Sequence, residues 1–234
     1  MYKGERNMQA AIQAKTQKMS LVKVRTSENK LAKQTYSIFK RILDIILSLT
    51  AIILLLPLFL VLAIIIKIDS KGRIIFKHKR IGQKGKIIYM YKFRTMVENA
   101  EDLIQKFTPE QKKEYEKNYK LDNDFRITRV GKILRKTSLD ELPQLFNILT
   151  GDMSFVGPRP IVKKELEKYG TNQEKLLSTK PGLTGFWQAH GRSNTTYDER
   201  ICMELYYVSN ASLKLDIKIF FKTVISVLKR EGAM

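Results

Sequence analysis

The hydrophobic pattern is dominated by one apolar run, residues 42–66 (ILDIILSLTAIILLLPLFLVLAIII), with one charge, Asp44, and one proline, Pro57. About 20 apolar residues suffice to cross the hydrocarbon core of a bilayer, so this pattern predicts a membrane helix. About 40 residues precede the run and no small-residue cleavage site follows it, which excludes a cleavable signal peptide. Asp44 lies at the edge of the run, where Lys40 or Arg41 would pair with it at the headgroup level.

Both flanks of the run are basic. Residues 1–41 hold ten Lys and Arg against two Glu, and six more cations follow within residues 67–80. The positive-inside rule places such flanks in the cytoplasm. A helix broken near Pro57 that enters and leaves by the same leaflet satisfies both flanks, because proline removes one backbone hydrogen bond and bends the axis. An ordinary kinked span is the alternative.

The pattern after the membrane run changes to short strands and amphipathic helices. Residues 74–76 and Ile87–Phe93 alternate as strands do, and the turn signal at residues 83–86 joins them into a β-hairpin. Near the C-terminus, residues 213–228 place an apolar stripe opposite three lysines. This stripe is typical of an interfacial helix parallel to a bilayer, or of a helix packed on a core.

These elements predict a mostly helical α+β fold with a membrane helix that is either re-entrant or spanning, a small β-hairpin and amphipathic interfacial helices. Three regions follow from the pattern. Residues 1–39 form a basic tail, residues 40–67 form the membrane segment, and residues 68–234 form a membrane-associated domain that faces the cytoplasm.

An adjacent pair of carboxylates, Asp140 and Glu141, is the strongest candidate for chemistry. Cations precede it, among them Arg135, and the segment Gly157-Pro158-Arg159-Pro160 follows. A site for a phosphorylated substrate needs cations to neutralise phosphate oxygens and a group that attacks or holds a metal. The pattern also fits a structural role, in which Asp140 is the N-cap of a helix that has Pro143 in its first turn.

Two further cations, Lys92 and Arg94, stand on alternate positions at the end of the second predicted strand. Alternate residues share one face of a strand, so both side chains would point at one ligand. The alternative is a non-functional one, in which these exposed cations on a strand only interact with solvent.

Composition narrows the class of partner. With 43 Lys and Arg against 23 Asp and Glu, the formal charge of +20 predicts an acidic partner: nucleic acid, an anionic membrane or a phosphorylated small molecule. No nucleic-acid-binding motif supports the first, and neither a P-loop nor a GxGxxG motif occurs. One cysteine, Cys202, and two histidines make a Cys- or His-based metal site improbable and place the chemistry in the cytoplasm.

From residue 40 onward, the chain resembles the bacterial sugar transferases, the monotopic phosphoglycosyl transferases that start polyprenyl-linked glycan assembly. The resemblance rests on five motifs in order: Lys40-Arg41-x-x-Asp44, Lys92-Phe93-Arg94-Thr95-Met96, Leu134-Arg135-Lys136-Thr137-Ser138-Leu139-Asp140-Glu141-Leu142-Pro143-Gln144, Gly151-Asp152-Met153-Ser154-Phe155-Val156-Gly157-Pro158-Arg159-Pro160 and Lys180-Pro181-Gly182-Leu183-Thr184-Gly185. Two positions depart from the family pattern: Leu56 stands where serine is frequent, and Glu204 where aspartate is common.

This resemblance implies transfer of a sugar 1-phosphate from a UDP-sugar to undecaprenyl phosphate, with release of UMP and a requirement for Mg²⁺, at the bacterial cytoplasmic membrane. It implies that Asp140 attacks the β-phosphate and forms a covalent phosphosugar intermediate, that Glu141 assists, and that the pair lies at the metal. The remaining implied roles are substrate-binding ones, for Lys92, Arg94, Arg135, Arg159 and Pro160. The resemblance also implies that residues 40–67 form a re-entrant helix-break-helix hairpin broken near Pro57 and that residues 68–234 form the catalytic domain.

A rival hypothesis is a non-catalytic basic adaptor that binds anionic lipid and turns over no UDP-sugar. Under the transferase hypothesis galactose, glucose and N-acetylated sugars are all open as the transferred sugar, because no residue identified here reads hydroxyl configuration.

Overall fold

The computed structural model describes residues 3–118, 121, 123–190 and 195–228. The chain divides into two compact units, residues 1–43 and residues 44–234. The first unit is the N-terminal part of helix α1, which begins at Lys3. The backbone of the predicted basic tail is therefore helical, and the side chains of residues 1–30 and 32 lie outside the described part.

Helix α1 (Lys3–Asp69) continues through Pro57. A proline can bend a helix axis without ending the helix, so the re-entrant course broken near Pro57 stays a prediction. By length and composition, the segment from Lys33 to Asp69 is long and apolar enough to cross a membrane. In its most apolar 18 residues, only 11% of the positions are buried inside the protein.

Within the second unit, α1 packs one stripe of side chains against the domain. One buried cluster consists of Ile88, Met90, Leu145, Ile148 and Met153, and it is contacted from α1 by Ala51, Ile52, Leu55 and Phe59. A second buried cluster includes Leu62 and Ile66 of α1 itself. The spacing of three to four residues keeps these side chains on one side of a helix. The opposite side exposes large apolar residues, among them Ile53, Leu54, Leu56, Leu60, Val61, Ile64 and Ile68.

The predicted hairpin is present and longer than expected in its first strand. Strand β1 (Ile75–Ile81) pairs antiparallel with β2 (Ile87–Phe93), and a 3₁₀ turn at Gln83–Gly85 joins them. Ile88, Met90 and Phe93 are buried. This register fixes the position of Lys92, the residue before Phe93.

The carboxylate pair lies between two short helices, α3 (Arg129–Thr137) and α4 (Gln144–Thr150). Leu134 of α3 and Ile148 of α4 are buried in the two clusters that α1 contacts. Asn147, also buried, accepts a hydrogen bond from Tyr91 N and donates one to Tyr89 O, so α4 is bound to the edge of β2.

A second, parallel pair of strands carries the proline-rich segment. Strand β3 (Ser154–Val156) pairs with β4 (Gly182–Thr184). Gly157 and Gly182 lie so close that a Cβ on Gly182 would come within 2.1 Å of Gly157 N. This contact holds the segment 157–160 against the strand β4.

The remaining helices surround these strands. Their bounds are α2 (Pro109–Asn118), α5 (Lys163–Glu167), α6 (Gln173–Leu177), α7 (Phe186–His190), α8 (Tyr197–Asn210) and α9 (Leu213–Leu228). Before α3, Arg126 and Asp124 form a buried ion pair at 2.7 Å.

Helix α9 has the bounds that the sequence predicts. Its Ile219 is buried against Tyr207 of α8, while five large apolar side chains of its predicted stripe remain exposed.

Candidate active site

Asp140 and Glu141 lie in a 3₁₀ turn, Leu139–Glu141, between α3 and α4. Ser138, with φ of 58°, ends α3 in the left-handed region, so the chain changes direction just before the pair. The prediction that Asp140 is the N-cap of a helix is wrong, because α4 begins only at Gln144, after Pro143. A carboxylate in this turn caps no helix and is free to face a ligand.

Lys92 connects the hairpin to both carboxylates. Its Nζ donates to Glu141 Oε1 at 2.6 Å and lies 3.9 Å from Asp140 Oδ2. Within the described residues, no other ion pair reaches Asp140. Lys92, for which the resemblance implies a substrate-binding role, therefore lies beside the carboxylate pair.

Burial raises the pKa of Asp140, and the neighbouring charge of Glu141 acts in the same direction. Lys92 and Arg135 oppose this rise. The carboxyl is 7% exposed, so the loss of solvation outweighs the cations.

The pKa of Glu141 shifts in the opposite direction. Burial favours the neutral acid, but the ion pair and hydrogen bond from Lys92, the charge of Arg159 and the amide of Gln144 together lower its pKa. Two adjacent carboxylates with opposite shifts have distinct environments, which is a feature of acid-base and nucleophilic sites.

Arg135 and Arg159 both act on this pair. Arg135 is held by a hydrogen bond from its Nε to Thr95 Oγ1 at 2.9 Å, and Asp140 opposes the lowering of its pKa by burial. Arg159 stacks on Trp187, 5.8 Å from the ring centroid. Pro160 and Arg159 line a pocket that also includes Lys92 and Glu141.

Arg94 is placed elsewhere. Its guanidinium donates to backbone carbonyls at the end of α1: to Ser70 O at 2.6 Å, to Ile66 O at 3.3 Å and to Lys71 O. Because β2 ends at Phe93, the alternation that should have put Arg94 beside Lys92 no longer applies. The structure therefore does not bring Arg94 to the carboxylate pair; its guanidinium caps the C-terminal end of α1 instead.

A buried carboxylate supports the loop that carries Arg159. Glu204 accepts hydrogen bonds from Arg159 N at 3.3 Å, from Arg200 Nε at 3.3 Å and from the Tyr169 hydroxyl. Glu165 pairs with Arg200 at 3.1 Å and with Arg80 at 3.4 Å. The sequence identified Glu204 only as a departure from the family pattern.

Asp44 holds the strand that leads into the same loop. Its Oδ1 accepts hydrogen bonds from Ser154 Oγ at 3.1 Å and from Phe155 N at 3.0 Å. Asp44 and Ser154 are both buried. A carboxylate at the entrance of the apolar run is therefore a structural partner of β3, which the sequence did not indicate.

His78 lies on β1 beside these cations. Burial lowers its pKa to about 4, and the charges of Arg80, Lys92 and Arg159 act in the same direction, against Glu165. The imidazole is therefore neutral at neutral pH. Three cations acting on one ring show that the positive charges converge on this side of the hairpin.

No cluster of three or more potential metal ligands occurs among the described residues. The carboxylate pair nevertheless offers the donor set that Mg²⁺ uses when substrate phosphates complete its coordination, namely one or two carboxylates. The residues present therefore fit a substrate-assisted magnesium site at Asp140 and Glu141.

Comparison with known proteins places this arrangement in context. A family model described as bacterial sugar transferase matches residues 35–230. The chain is 49% identical to an uncharacterized sugar transferase of Haemophilus influenzae and 47% identical to an undecaprenyl-phosphate galactose phosphotransferase of Salmonella typhimurium, each over 88% of this chain and 44% of the relative. It thus spans less than half the length of these two relatives. The exopolysaccharide production protein ExoY of Sinorhizobium fredii is 44% identical over 84% of this chain and 88% of its own length.

Proposed function

The chain belongs to the bacterial sugar transferase family, and on this basis we propose that it transfers a sugar 1-phosphate from a UDP-sugar to undecaprenyl phosphate, with release of UMP. This reaction would start the assembly of an exopolysaccharide, capsule or other glycoconjugate. The observation that carries the proposal is the environment of the Asp140 carboxylate. It is buried, its ion pair among the described residues is with Lys92 at 3.9 Å, and the charge of Arg135 also acts on it.

In the first step, a carboxylate oxygen of Asp140 attacks the β-phosphorus of the UDP-sugar. The bond between this phosphorus and the bridging oxygen breaks, and UMP leaves with the electron pair. A carboxylate is a weak nucleophile, but phosphoryl transfer depends mainly on positioning and on neutralising the charge of the phosphoryl oxygens. Lys92, Arg135 and Arg159, which act electrostatically on the carboxylate pair, would neutralise that charge.

In the second step, a phosphate oxygen of undecaprenyl phosphate attacks the same phosphorus. The bond from phosphorus to Asp140 breaks, the carboxylate is regenerated, and the sugar diphospholipid is released. Neither step consumes a proton, so the ionised Glu141 serves to orient Lys92 and the turn through its 2.6 Å hydrogen bond.

Asp140 and Glu141 would hold Mg²⁺ together with the phosphates of the donor. The ion, when bound, supplies positive charge to the phosphoryl oxygens. Lys92 keeps a hydrogen bond to Glu141, which fixes one of the two carboxylates before the substrate arrives.

Both ends of the apolar run contact the same domain, which supports attachment from one side of the membrane. Asp44 bonds to β3, and the carbonyl of Ile66 accepts a hydrogen bond from Arg94. These two residues are separated by roughly 33 Å along a helix, close to the thickness of the hydrocarbon core. A helix that crossed the bilayer would hold its two ends on opposite sides, whereas here the same domain binds both.

The exposed apolar face of α9 gives a second membrane contact. Phe220, Phe221, Val224 and Ile225 are exposed beside lysines of the same helix. An apolar face flanked by lysines is typical of a helix that lies in the headgroup region of an anionic leaflet. Basic flanks place that leaflet and the domain on the cytoplasmic side of the cell membrane.

The proposal is tested by incubating the purified chain with UDP-galactose, UDP-glucose and N-acetylated UDP-hexoses, in the presence of Mg²⁺ and undecaprenyl phosphate, and by measuring UMP. At least one donor should yield UMP in molar excess over the protein, and only when the lipid phosphate is present, because the donor alone can release no more than one UMP per Asp140. Salt-sensitive binding to anionic vesicles without UMP from any donor would instead support the adaptor hypothesis.

A further inference from the structure

A pocket beside the carboxylate pair is lined mainly by hydrogen-bond donors. Its polar lining consists of Arg80, Lys92, Arg159, Gln144, Gln188 and a single carboxylate, Glu141. Guanidinium, ammonium and amide groups that converge on one space select for an oxyanion, because charge-assisted hydrogen bonds are stronger than neutral ones.

The hairpin register places Arg80 on the face of the sheet that carries Lys92. Phe76 is paired with Lys92 and Arg80 with Ile88, so the even-numbered residues of β1 and β2 point to the same side. Lys79, the neighbour of Arg80, is exposed and points to the opposite face. Arg80 belongs to none of the motifs that carry the family resemblance.

The charge of Arg80 is only partly balanced within the protein. Its ion pair with Glu165 is 3.4 Å long, and Glu165 also pairs with Arg200 at 3.1 Å. Burial lowers the pKa of Arg80 to about 10, Glu165 opposes this, and Arg159 and Arg200 add to it. The buried Nε of Arg80 makes no hydrogen bond to a described residue. An added anion would stabilise this guanidinium.

Gln144 is a second, uncharged residue that points to an anion in this pocket. Its side chain is 2% exposed, and its Nε2, although it helps to lower the pKa of Glu141, makes no hydrogen bond within 3.5 Å to a described residue. A buried amide donor without an acceptor costs free energy, so such groups in native proteins usually have a role or a ligand. Since Gln144 lines the same pocket as Arg80, one oxyanion would serve both.

We propose that Arg80 and Gln144 contact substrate directly and that, with Lys92 and Arg159, they bind a phosphate monoester next to Asp140. This inference rests on the proposed function, in which two phosphate monoesters occupy the site in turn. One is the leaving UMP and the other is the polyprenyl phosphate. Both offer the same terminal oxyanion to the pocket.

The test measures equilibrium binding of UMP and of geranyl phosphate to the full chain in detergent, with uridine and geraniol as uncharged references. Arg80→Gln and Gln144→Met remove the two donors, and Arg80→Lys retains the charge without the planar fork. Lys79→Gln is the matched control, since it removes one cation from the adjacent position of the same strand. Circular dichroism and thermal unfolding check that each variant is folded.

Arg80→Gln should weaken binding of at least one phosphate about tenfold or more, and Gln144→Met about fivefold, while Lys79→Gln stays within about twofold. The ligand that loses affinity identifies which monoester the pocket holds. If Arg80→Gln does not fold, Arg80→Lys and Gln144→Met carry the test. Wild-type affinity for both phosphates in the folded variants, or no phosphate binding by the wild type, would overturn the proposal. Intact binding without UMP release from any donor would overturn the transfer reaction alone.

Discussion

Two groups of carboxylates in this domain differ in how fully their oxygens are used. Glu204 and Glu165 lie under the Arg159 loop, where both oxygens of each accept hydrogen bonds or ion pairs from residues such as Arg200. Asp140, by contrast, has one ion pair among the described residues, at 3.9 Å.

This difference separates a structural role from a chemical one. A carboxylate whose oxygens are all satisfied holds its neighbours in place and has nothing left to offer a ligand. A buried carboxylate with one distant cation retains free lone pairs next to positive charge, as a nucleophile for phosphorus requires. Glu204 therefore supports the loop, and Asp140 is available to the substrate.

The largest effect is expected for Asp140→Asn. The variant should lose at least about 1,000-fold in the rate of UMP release, because the amide is a far weaker nucleophile than the carboxylate. Its thermal unfolding should stay close to wild type, since the side chain makes one long ion pair. Asp152→Asn, an exposed carboxylate nearby, is the control and should keep full activity. Turnover by Asp140→Asn at the wild-type rate would remove Asp140 from the mechanism.

The next effect concerns stability. Glu204→Ala leaves the Arg200 guanidinium and the Tyr169 hydroxyl with fewer buried partners and should lower the free energy of unfolding by about 3 kcal/mol. Glu167→Ala, on an exposed site, should cost less than about 0.5 kcal/mol. Equal, small losses in urea unfolding would mean that the buried network contributes little to the fold.

A smaller coupling is expected between the membrane helix and β3. In a double-mutant cycle, Asp44→Ala and Ser154→Ala should show an interaction energy of about 1 kcal/mol in unfolding, because one hydrogen bond joins their side chains. A second cycle, Asp44→Ala with exposed Ser209→Ala, should give a value near zero. Additivity in the first cycle would contradict the contact.

The last expected effect is a pH dependence. The pKa of His78 is about 4 in the folded chain and 6.5 in its ordinary state, so the unfolded chain binds the proton first. The stability linked to His78 is therefore complete above pH 6.5 and decreases as the pH falls towards 4. His78→Gln should lose less stability than wild type between pH 7.5 and about 5, and His190→Gln should behave as wild type. An unchanged pH profile for His78→Gln would contradict a neutral, buried imidazole.

Local patterns predicted the elements whose residues interact mostly along the chain. The alternation of residues 87–93 predicted β2, and the apolar stripe of residues 213–228 predicted α9. Both elements can be recognised because the spacing of their apolar side chains along the chain matches the period of a strand or of a helix. The bend at Pro57 stays a prediction, because α1 is helical on both sides of this proline and a proline can tilt a helix axis without ending the helix. Arg94 was misplaced because strand alternation was extended one residue beyond the end of β2.

The sequence missed the residues that reach the site from a distance. Arg80 lies outside the motifs recognised in the sequence, and Gln144 ends one of them but was given no role. Only the pairing of β1 with β2 and the turn before α4 bring these two residues to one pocket. Glu204 comes from α8 and reaches Arg159 across the fold. Alternation along the hairpin was the one signal that could have placed Arg80 with Lys92.

The most direct measurement is the intact mass of the chain after incubation with a UDP-sugar and Mg²⁺, without the lipid phosphate. Wild-type protein should gain the mass of one sugar phosphate, peptide mapping should assign it to Asp140, and addition of undecaprenyl phosphate should remove it. A preparation that releases UMP in the complete reaction, yet never gains mass at Asp140 with the donor alone, would contradict a covalent aspartyl intermediate.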